Sequence, residues 1–326
     1  MNHLENSKKY LKIREWKQGR LYAMMEKEVI PVEYVPAKHI LIRNRSTEWF
    51  GTDHTVNLYR GCCHGCIYCD SRSRCYGIGD FDRVRAKADA LRILRDDLQR
   101  KVKPGLVGMG SMSDPYNPFE KELELTRKAL MLLDAYGFGV AVATKSDLIS
   151  RDMDLYRSIA SHSPVICKVT VTTADDALAA KLEPGAPTPT RRLAAVRALS
   201  QAGIFTGVLL MPVLPFLEDS LENVLAVTEA AAKAGARFVY PAFGMTLRDE
   251  QRAHYLKELE ERFPGQDLAA RTVGQYGERY WCTSPNAKRL WGAFSARCRE
   301  LGLFYEMKHI VSAAQVGYCD RQLSFF

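Results

Sequence analysis

Between Thr55 and Tyr240 the chain alternates short apolar runs with longer stretches whose apolar residues recur at helical spacing. A strand that is apolar on both faces has to be covered on both faces, and the helices that follow each strand supply the cover. The spacing predicts strands at 56–60, 106–111, 138–143, 165–172, 205–211 and 237–240. Helices are expected at 83–101, 121–136, 151–160 and 191–202, and from Asp219 to about Lys233. Gly137 and Gly203 follow two of these as stop signals, and Asp219 with Glu222 reads as a capping pair. The expected fold class is α/β. Its six strand–helix units form a parallel sheet closed three quarters of the way round, a partial (β/α)6 barrel. An open doubly wound sheet is the alternative.

This reading divides the chain into an N-terminal extension (1–50), a barrel (51–244) and a C-terminal extension (245–326). The first segment has weak periodicity and is expected to wrap the core. The last begins with a charged helix at 247–263. It continues with aromatics, among them Tyr276, Tyr280, Trp281, Trp291, Phe294, Phe304 and Tyr305, that suit packing on the barrel or over its open side. Met1 to Lys17 is polar and lacks the apolar core of a secretory signal. The longest apolar stretch, 204–217, contains Pro212 and Pro215 and is too short to span a membrane. A cytoplasmic chain with no membrane contact is expected.

Nine cysteines are present, five of them between Cys62 and Cys75. Such local clustering reads as a metal site rather than a disulfide framework. Gly61 and Gly65 permit the backbone angles of a tight loop that turns thiolates toward one soft centre. Two registers compete, Cys62/Cys66/Cys69 and Cys63/Cys66/Cys69. The second would open a bacterial ferredoxin run, but that run continues with a cysteine after three residues and then proline. Here Cys75 comes after five residues and Tyr76 follows it. A structural zinc site drawing on Cys63, His64, Cys66, Cys69 or Cys75 is the other reading, although no clean second pair is present. An iron–sulfur cluster is favoured over both. Cys167, Cys282 and Cys298 read as buried apolar thiols.

Cys-x3-Cys-x2-Cys with Tyr68 before the last cysteine, placed after the first strand, resembles the radical S-adenosylmethionine (radical SAM) superfamily. Asn57, Leu58, Tyr59, Arg60 and Gly61, running into Cys62, resemble its spore photoproduct lyase-like branch, and the resemblance covers about Thr55 to Tyr240. It implies a barrel of the radical SAM type, with a 4Fe–4S cluster held by Cys62, Cys66 and Cys69 and one iron left for S-adenosylmethionine. Reductive cleavage of that cofactor would give a 5′-deoxyadenosyl radical. The cofactor contacts implied are Ser113 and Asp114 for the amino group, Lys145 for the carboxylate, Thr172 for the ribose and Tyr68 near the adenine. Glu183, Pro184 and Arg192 resemble a further segment of the branch, for cofactor binding or loop bracing. His64 is expected to be a loop residue that bonds backbone. A turn suits Asp114 and Pro115 equally, Lys145 also reads as a surface charge, and Thr172 as an ordinary strand residue.

One departure stands out. Relatives that repair thymine lesions return a hydrogen atom from a cysteine near the end of the second strand, and 108–114 contains none. Cys75 or Cys319 is left as a candidate hydrogen donor. The net charge of +8, with Lys8, Lys9, Lys12, Arg14, Lys17 and Arg20 crowded near the start, suits a polyanion such as DNA. A solvated basic surface explains the charge equally. Arg271, Arg279, Arg289 and Arg297 among the tail aromatics suit base stacking or simple packing. The end of the chain, Gln322, Leu323, Ser324, Phe325 and Phe326, resembles a peptide that docks on the bacterial sliding clamp, against an apolar tail packed on the barrel. A reductant such as flavodoxin or ferredoxin completes the expected partners. RNA, peptide or small-molecule modification is the alternative function, and a non-catalytic iron–sulfur or zinc protein a third.

Overall fold

A computed structural model of the chain describes residues 32–100 and 103–318. The basic cluster from Lys8 to Arg20, Cys319 and the tail peptide Gln322 to Phe326 lie outside the described residues. β1 (Glu33–Val35) and β2 (Leu41–Arg43) precede β3 (His54–Val56), and β4 (Tyr59–Arg60) and β5 (Arg85–Lys87) flank the cysteine loop. The series continues with β6 (Leu106–Met109), β7 (Gly139–Thr144), β8 (Val165–Thr170), β9 (Thr206–Leu210) and β10 (Phe238–Pro241). β11 (Gly244–Thr246) and β12 (Trp281–Thr283) form a separate antiparallel pair.

The main sheet runs β2-β3-β6-β7-β8-β9-β10. From β3 to β10 every neighbour is parallel and every strand lies beside its successor. A doubly wound sheet would reverse its order at a switch point. Without a reversal, crossovers of one hand put all the helices on one face, and the sheet curls into the partial barrel. β2 pairs antiparallel with β3, so a seam is left between β2 and β10. The edge of β10 is met by Phe304, whose carbonyl accepts from Val239 N–H at 2.9 Å and whose own N–H donates to Arg237 O at 3.0 Å.

Both faces of the strands are buried, which accounts for their unbroken apolar character. Val140, Val142, Val165, Cys167, Val169, Val208 and Leu210 face the helical layer. Leu106, Ala141, Ile166, Leu209 and Phe238 face the barrel interior with Phe50. Cys167, Cys282 and Cys298 are buried, as expected of apolar thiols.

Three local expectations change. The 56–60 run splits: Val56 stays in the main sheet, whereas Tyr59 and Arg60 pair with β5. The helix expected from Arg83 starts at Ala90, because Arg85–Lys87 is drawn into the small sheet between β1 and β4. Ser220, not Asp219, caps the helix Leu221–Lys233, accepting from Asn223 N–H at 3.0 Å. Asp219 instead accepts from Phe216 N–H and from Ser284 Oγ.

The barrel interior has no slack at Gly207. A Cβ there would stand 2.4 Å from the ring of Phe238, which is itself stacked on Phe205. Gly207→Ala should therefore lower stability by about 1–3 kcal/mol, read as a lower urea midpoint at unchanged slope. An unchanged midpoint would show that the floor can repack.

Candidate active site

The loop that leaves β4 is fixed by its backbone before any side chain acts. Gly61 has φ +81°, and a Cβ there would lie 2.4 Å from Arg83 O, so only glycine fits. Cys62 N–H donates to Phe81 O at 2.8 Å, Ile67 N–H to Leu182 O at 3.0 Å, and Gly185 N–H to His64 O at 2.9 Å. The loop is thus stitched to the segment holding Glu183 and Pro184, far away in sequence.

Cys62, Cys66 and Cys69 line one cavity of about 360 Å³, together with His64, Ser113, Asp114, Thr144 and Lys145. Cys63 packs instead against the hydrophobic core. The competing register is therefore split between cavity and core. Burial pushes the Cys62 thiol up to about 12, with Asp114 adding to the effect. It also raises Cys66 and Cys69, against the pull of Lys145. Thiols in this state bind metal only by releasing their protons and coordinating as thiolates. Among the described residues no three His, Cys, Asp or Glu side chains are arranged to hold a metal ion. A cubane asks for less convergence than one ion, because each thiolate takes a different iron. A soft all-thiol donor set around one cavity fits such a cluster.

Behind the thiols lies a buried charge network. Glu183 is 1% exposed. It pairs closely with Arg192, which is equally buried, and accepts a short hydrogen bond from Tyr68 Oη. Lys145 Nζ stands 3.9 Å from Glu183 Oε1 and 5.4 Å from the Tyr68 ring centroid. Burial alone would raise the Glu183 carboxyl, but Arg192 and Lys145 more than offset it and hold it below its ordinary value. Arg192 also donates to Thr170 O at 3.0 Å and Pro187 O at 2.6 Å. Of the candidate cofactor residues, Ser113, Asp114 and Lys145 line the cavity. Tyr68, Glu183 and Arg192 brace it from behind.

Asp114 is heavily engaged within the chain. Oδ1 accepts from Tyr116 N–H and Thr144 Oγ1, and Oδ2 from Lys145 N–H. His64 Nδ1 lies 3.4 Å from Oδ2, so the His64 ring faces a carboxylate rather than backbone. Ser113 Oγ donates to Tyr59 O at 3.1 Å. Thr172 is buried away from the cavity lining, beside Glu218. Cys75 is exposed in the turn Arg74–Tyr76 and is not among the residues that line the cavity. Two residues passed over in the sequence are prominent here. Glu218 is fully buried below the network, and Lys168 lines the cavity from the inner face of β8.

A family model described as the radical SAM superfamily matches residues 56–228. An uncharacterised protein of Mycobacterium tuberculosis is 34% identical over 234 residues, 70% of this chain and 67% of that one. An uncharacterised protein of Methanocaldococcus jannaschii is 31% identical over 217 residues, 66% of this chain and 78% of that one. Among solved structures, a spore photoproduct lyase double mutant with bound AdoMet and dinucleoside spore photoproduct is similar. It has a TM-score of 0.57 at 15% identity, covering 89% of this chain and 94% of that one. At this identity the likeness concerns the fold.

Burial raises the Glu218 carboxyl to about 8, against the hydrogen bonds it accepts from Thr172 and Leu214 N–H. In the folded chain this group keeps its proton up to that pH, whereas in the unfolded chain it ionises near its ordinary value. The contribution of Glu218 to folding stability therefore declines as pH rises from about 5 to 8. Glu218→Gln should flatten this decline, measured as the difference between urea midpoints at pH 5 and pH 8. A difference as large as in the parent protein would contradict the assignment.

Proposed function

The chain belongs to the radical SAM superfamily, and within it we propose an enzyme that holds its cluster on Cys62, Cys66 and Cys69 and acts on damaged or modified DNA. The superfamily's cofactors are a 4Fe–4S cluster and S-adenosylmethionine. The observation that carries the reading is that these three thiols line one cavity while the partly buried Cys63 packs against the hydrophobic core. When bound, the two cofactors supply a 5′-deoxyadenosyl radical able to remove a hydrogen atom from substrate.

This chain's residues do the placing. The N–H bonds from the loop to Phe81 O and Leu182 O fix the thiols before the cluster arrives. Lys145, held between Glu183 and Tyr68, offers an ammonium at the cavity wall to the cofactor carboxylate. Ser113, on the same wall, is suited to the amino group. Asp114 orients Thr144, Tyr116 and the Lys145 backbone and keeps that wall rigid. Apolar barrel residues below the cavity exclude water from the site of hydrogen abstraction.

DNA as substrate draws support from three observations. The chain has a net charge of +8. Its fold is similar to that of a lyase solved with a dinucleoside photoproduct. Arg248 packs between the rings of Tyr76 and Tyr280, at 5.3 and 4.9 Å, beside the 69%-exposed Trp281. Rings and guanidinium together make a stacking platform for bases. A reductant of the flavodoxin or ferredoxin kind supplies the electron. The candidate hydrogen donor Cys75 stands outside the cavity lining, so the outcome of the reaction need not follow that of the lyase.

Anaerobic reconstitution of the chain should give about four irons per protein and, with dithionite and S-adenosylmethionine, 5′-deoxyadenosine. Cys62→Ala, Cys66→Ala and Cys69→Ala should each abolish the nucleoside and lower the iron. Cys63→Ala should keep both. Loss of iron in Cys63→Ala with retention in Cys62→Ala would overturn the assignment. Supplied with irradiated DNA deuterated on thymine, the protein should transfer deuterium into 5′-deoxyadenosine. Transfer only from an RNA or peptide would remove DNA from the reading.

A further inference from the structure

Lys168 is 1% exposed and sits in a strand that is otherwise apolar on both faces except for Thr170 at its end. Alternation along β8 puts Val165, Cys167 and Val169 under the helices and Ile166, Lys168 and Thr170 in the barrel interior. The side chain is a wall of the same cavity that the cluster cysteines line. Its neighbour across β7 is Ala143, and Gly108 of β6 lines the cavity nearby. The strand positions paired with Lys168 (Ala143 and Gly207) are thus small.

Among the described residues no carboxylate ion pair or hydrogen bond reaches Lys168 Nζ. Its one close partner is the ring of Phe50, 4.3 Å from Nζ to the centroid. A lone aromatic face is weak compensation for a buried ammonium, and burial brings the group down to about 7. Lys145, the other cavity lysine, has Glu183 beside it. The barrel thus carries one cavity lysine beside a carboxylate and one, capped by the Phe50 ring, with no such partner among the described residues.

Trp49 is the second feature of this end of the cavity. It follows β2, lies 5.5 Å edge-on from Tyr240 of β10, and so stands at the seam where the barrel is open. Trp49 is 43% exposed and lines the cavity. A flat indole at the entrance and an ammonium deeper in form a site for a planar ring bearing an acceptor, since a lysine donates and cannot accept.

We propose that Lys168 is a substrate-specificity residue, donating from Nζ to a carbonyl oxygen of a planar ring that Trp49 packs against. The inference rests on the nucleic-acid reading above for the identity of the ring, a carbonyl-bearing nucleobase drawn out of its stack. Such a donor reads the carbonyl of a thymine- or guanine-type base; it would bind a phosphate as well, and the two probes below separate the cases.

The test uses the reconstituted protein with S-adenosylmethionine under anaerobic conditions and two probes, UV-irradiated hexathymidylate, which carries thymine lesions, and an abasic hexamer with the same phosphates. Acetylation of Lys168 by acetic anhydride is followed by peptide mass spectrometry, and binding by fluorescence anisotropy. Hexathymidylate should slow acetylation of Lys168 at least about fivefold, and the abasic hexamer should not. Lys168→Met, which removes a buried charge and nearly keeps the shape, should fold with an undiminished Tm. It should bind hexathymidylate about tenfold more weakly, the size of one hydrogen bond to a charged donor, and the abasic hexamer as the parent does. Should both probes bind the parent with Lys168 acetylated at its free rate, the proposal fails and the nucleic-acid reading stands. Equal protection by the abasic hexamer also overturns it, because Lys168 would then be reading phosphate. Should neither probe bind, the nucleic-acid reading fails and this proposal with it. The protection measurement is made on the parent protein, so it decides the matter even if the variant does not fold.

Discussion

Glu183 carries a negative charge where water does not reach, and much of the site is arranged around neutralising it. An unpaired buried carboxylate would cost several kcal/mol. Here Arg192 pairs with it from the helix Pro189–Gln201, Lys145 approaches from the end of β7, and Tyr68 donates from the cysteine loop. Each partner belongs to a different part of the chain. Satisfying one charge therefore fixes three elements relative to one another, and the cysteine loop is one of them. Two backbone bonds, from Ile67 N–H to Leu182 O and from Gly185 N–H to His64 O, finish the clamp.

A second constraint comes from topology. Strands that lie beside their successors all present their carboxyl ends to the same rim. The Ser113 and Asp114 turn after β6 and Lys145 after β7 are gathered there by strand order, and the cysteine loop, which follows β3 by way of β4, is brought to the same cavity. Asp114 then ties the turn after β6 to the end of β7 through Thr144 Oγ1 and Lys145 N–H, and His64 of the cysteine loop faces it. The cavity wall is rigid because its hydrogen bonds are made within the chain, which leaves Lys145, Ser113 and the thiols to face what enters.

Much of this was legible in the sequence, for a physical reason. Apolar strands and amphipathic helices have distinct periods, so the six parallel strands could be placed to within a few residues, while their order in the sheet, successive or doubly wound, was left open. The cysteine spacing, with Gly61 before it, pointed to a tight loop that gathers thiols, and Cys62, Cys66 and Cys69 do line one cavity. What the sequence hid was tertiary. Val56 and Tyr59 read as one strand, and only pairing with Arg85–Lys87 divides them. Cys62 and Cys63 are adjacent, and nothing local tells which thiol turns to the cavity and which to the core. Lys168 carried one visible signal, a lysine inside a β-branched apolar run, and Glu218 none beyond its neighbouring prolines. His64 showed no sign of its carboxylate partner, 50 residues away in sequence.

The account stands on three cavity thiols gripping a cluster that keeps one iron open for a sulfonium ligand. Electron paramagnetic resonance of the dithionite-reduced, reconstituted protein tests this most directly, recorded with and without S-adenosylmethionine. The account predicts a reduced 4Fe–4S signal whose g values shift when S-adenosylmethionine is added. A signal indifferent to S-adenosylmethionine, or a protein that carries zinc and gives no cluster signal, would contradict it.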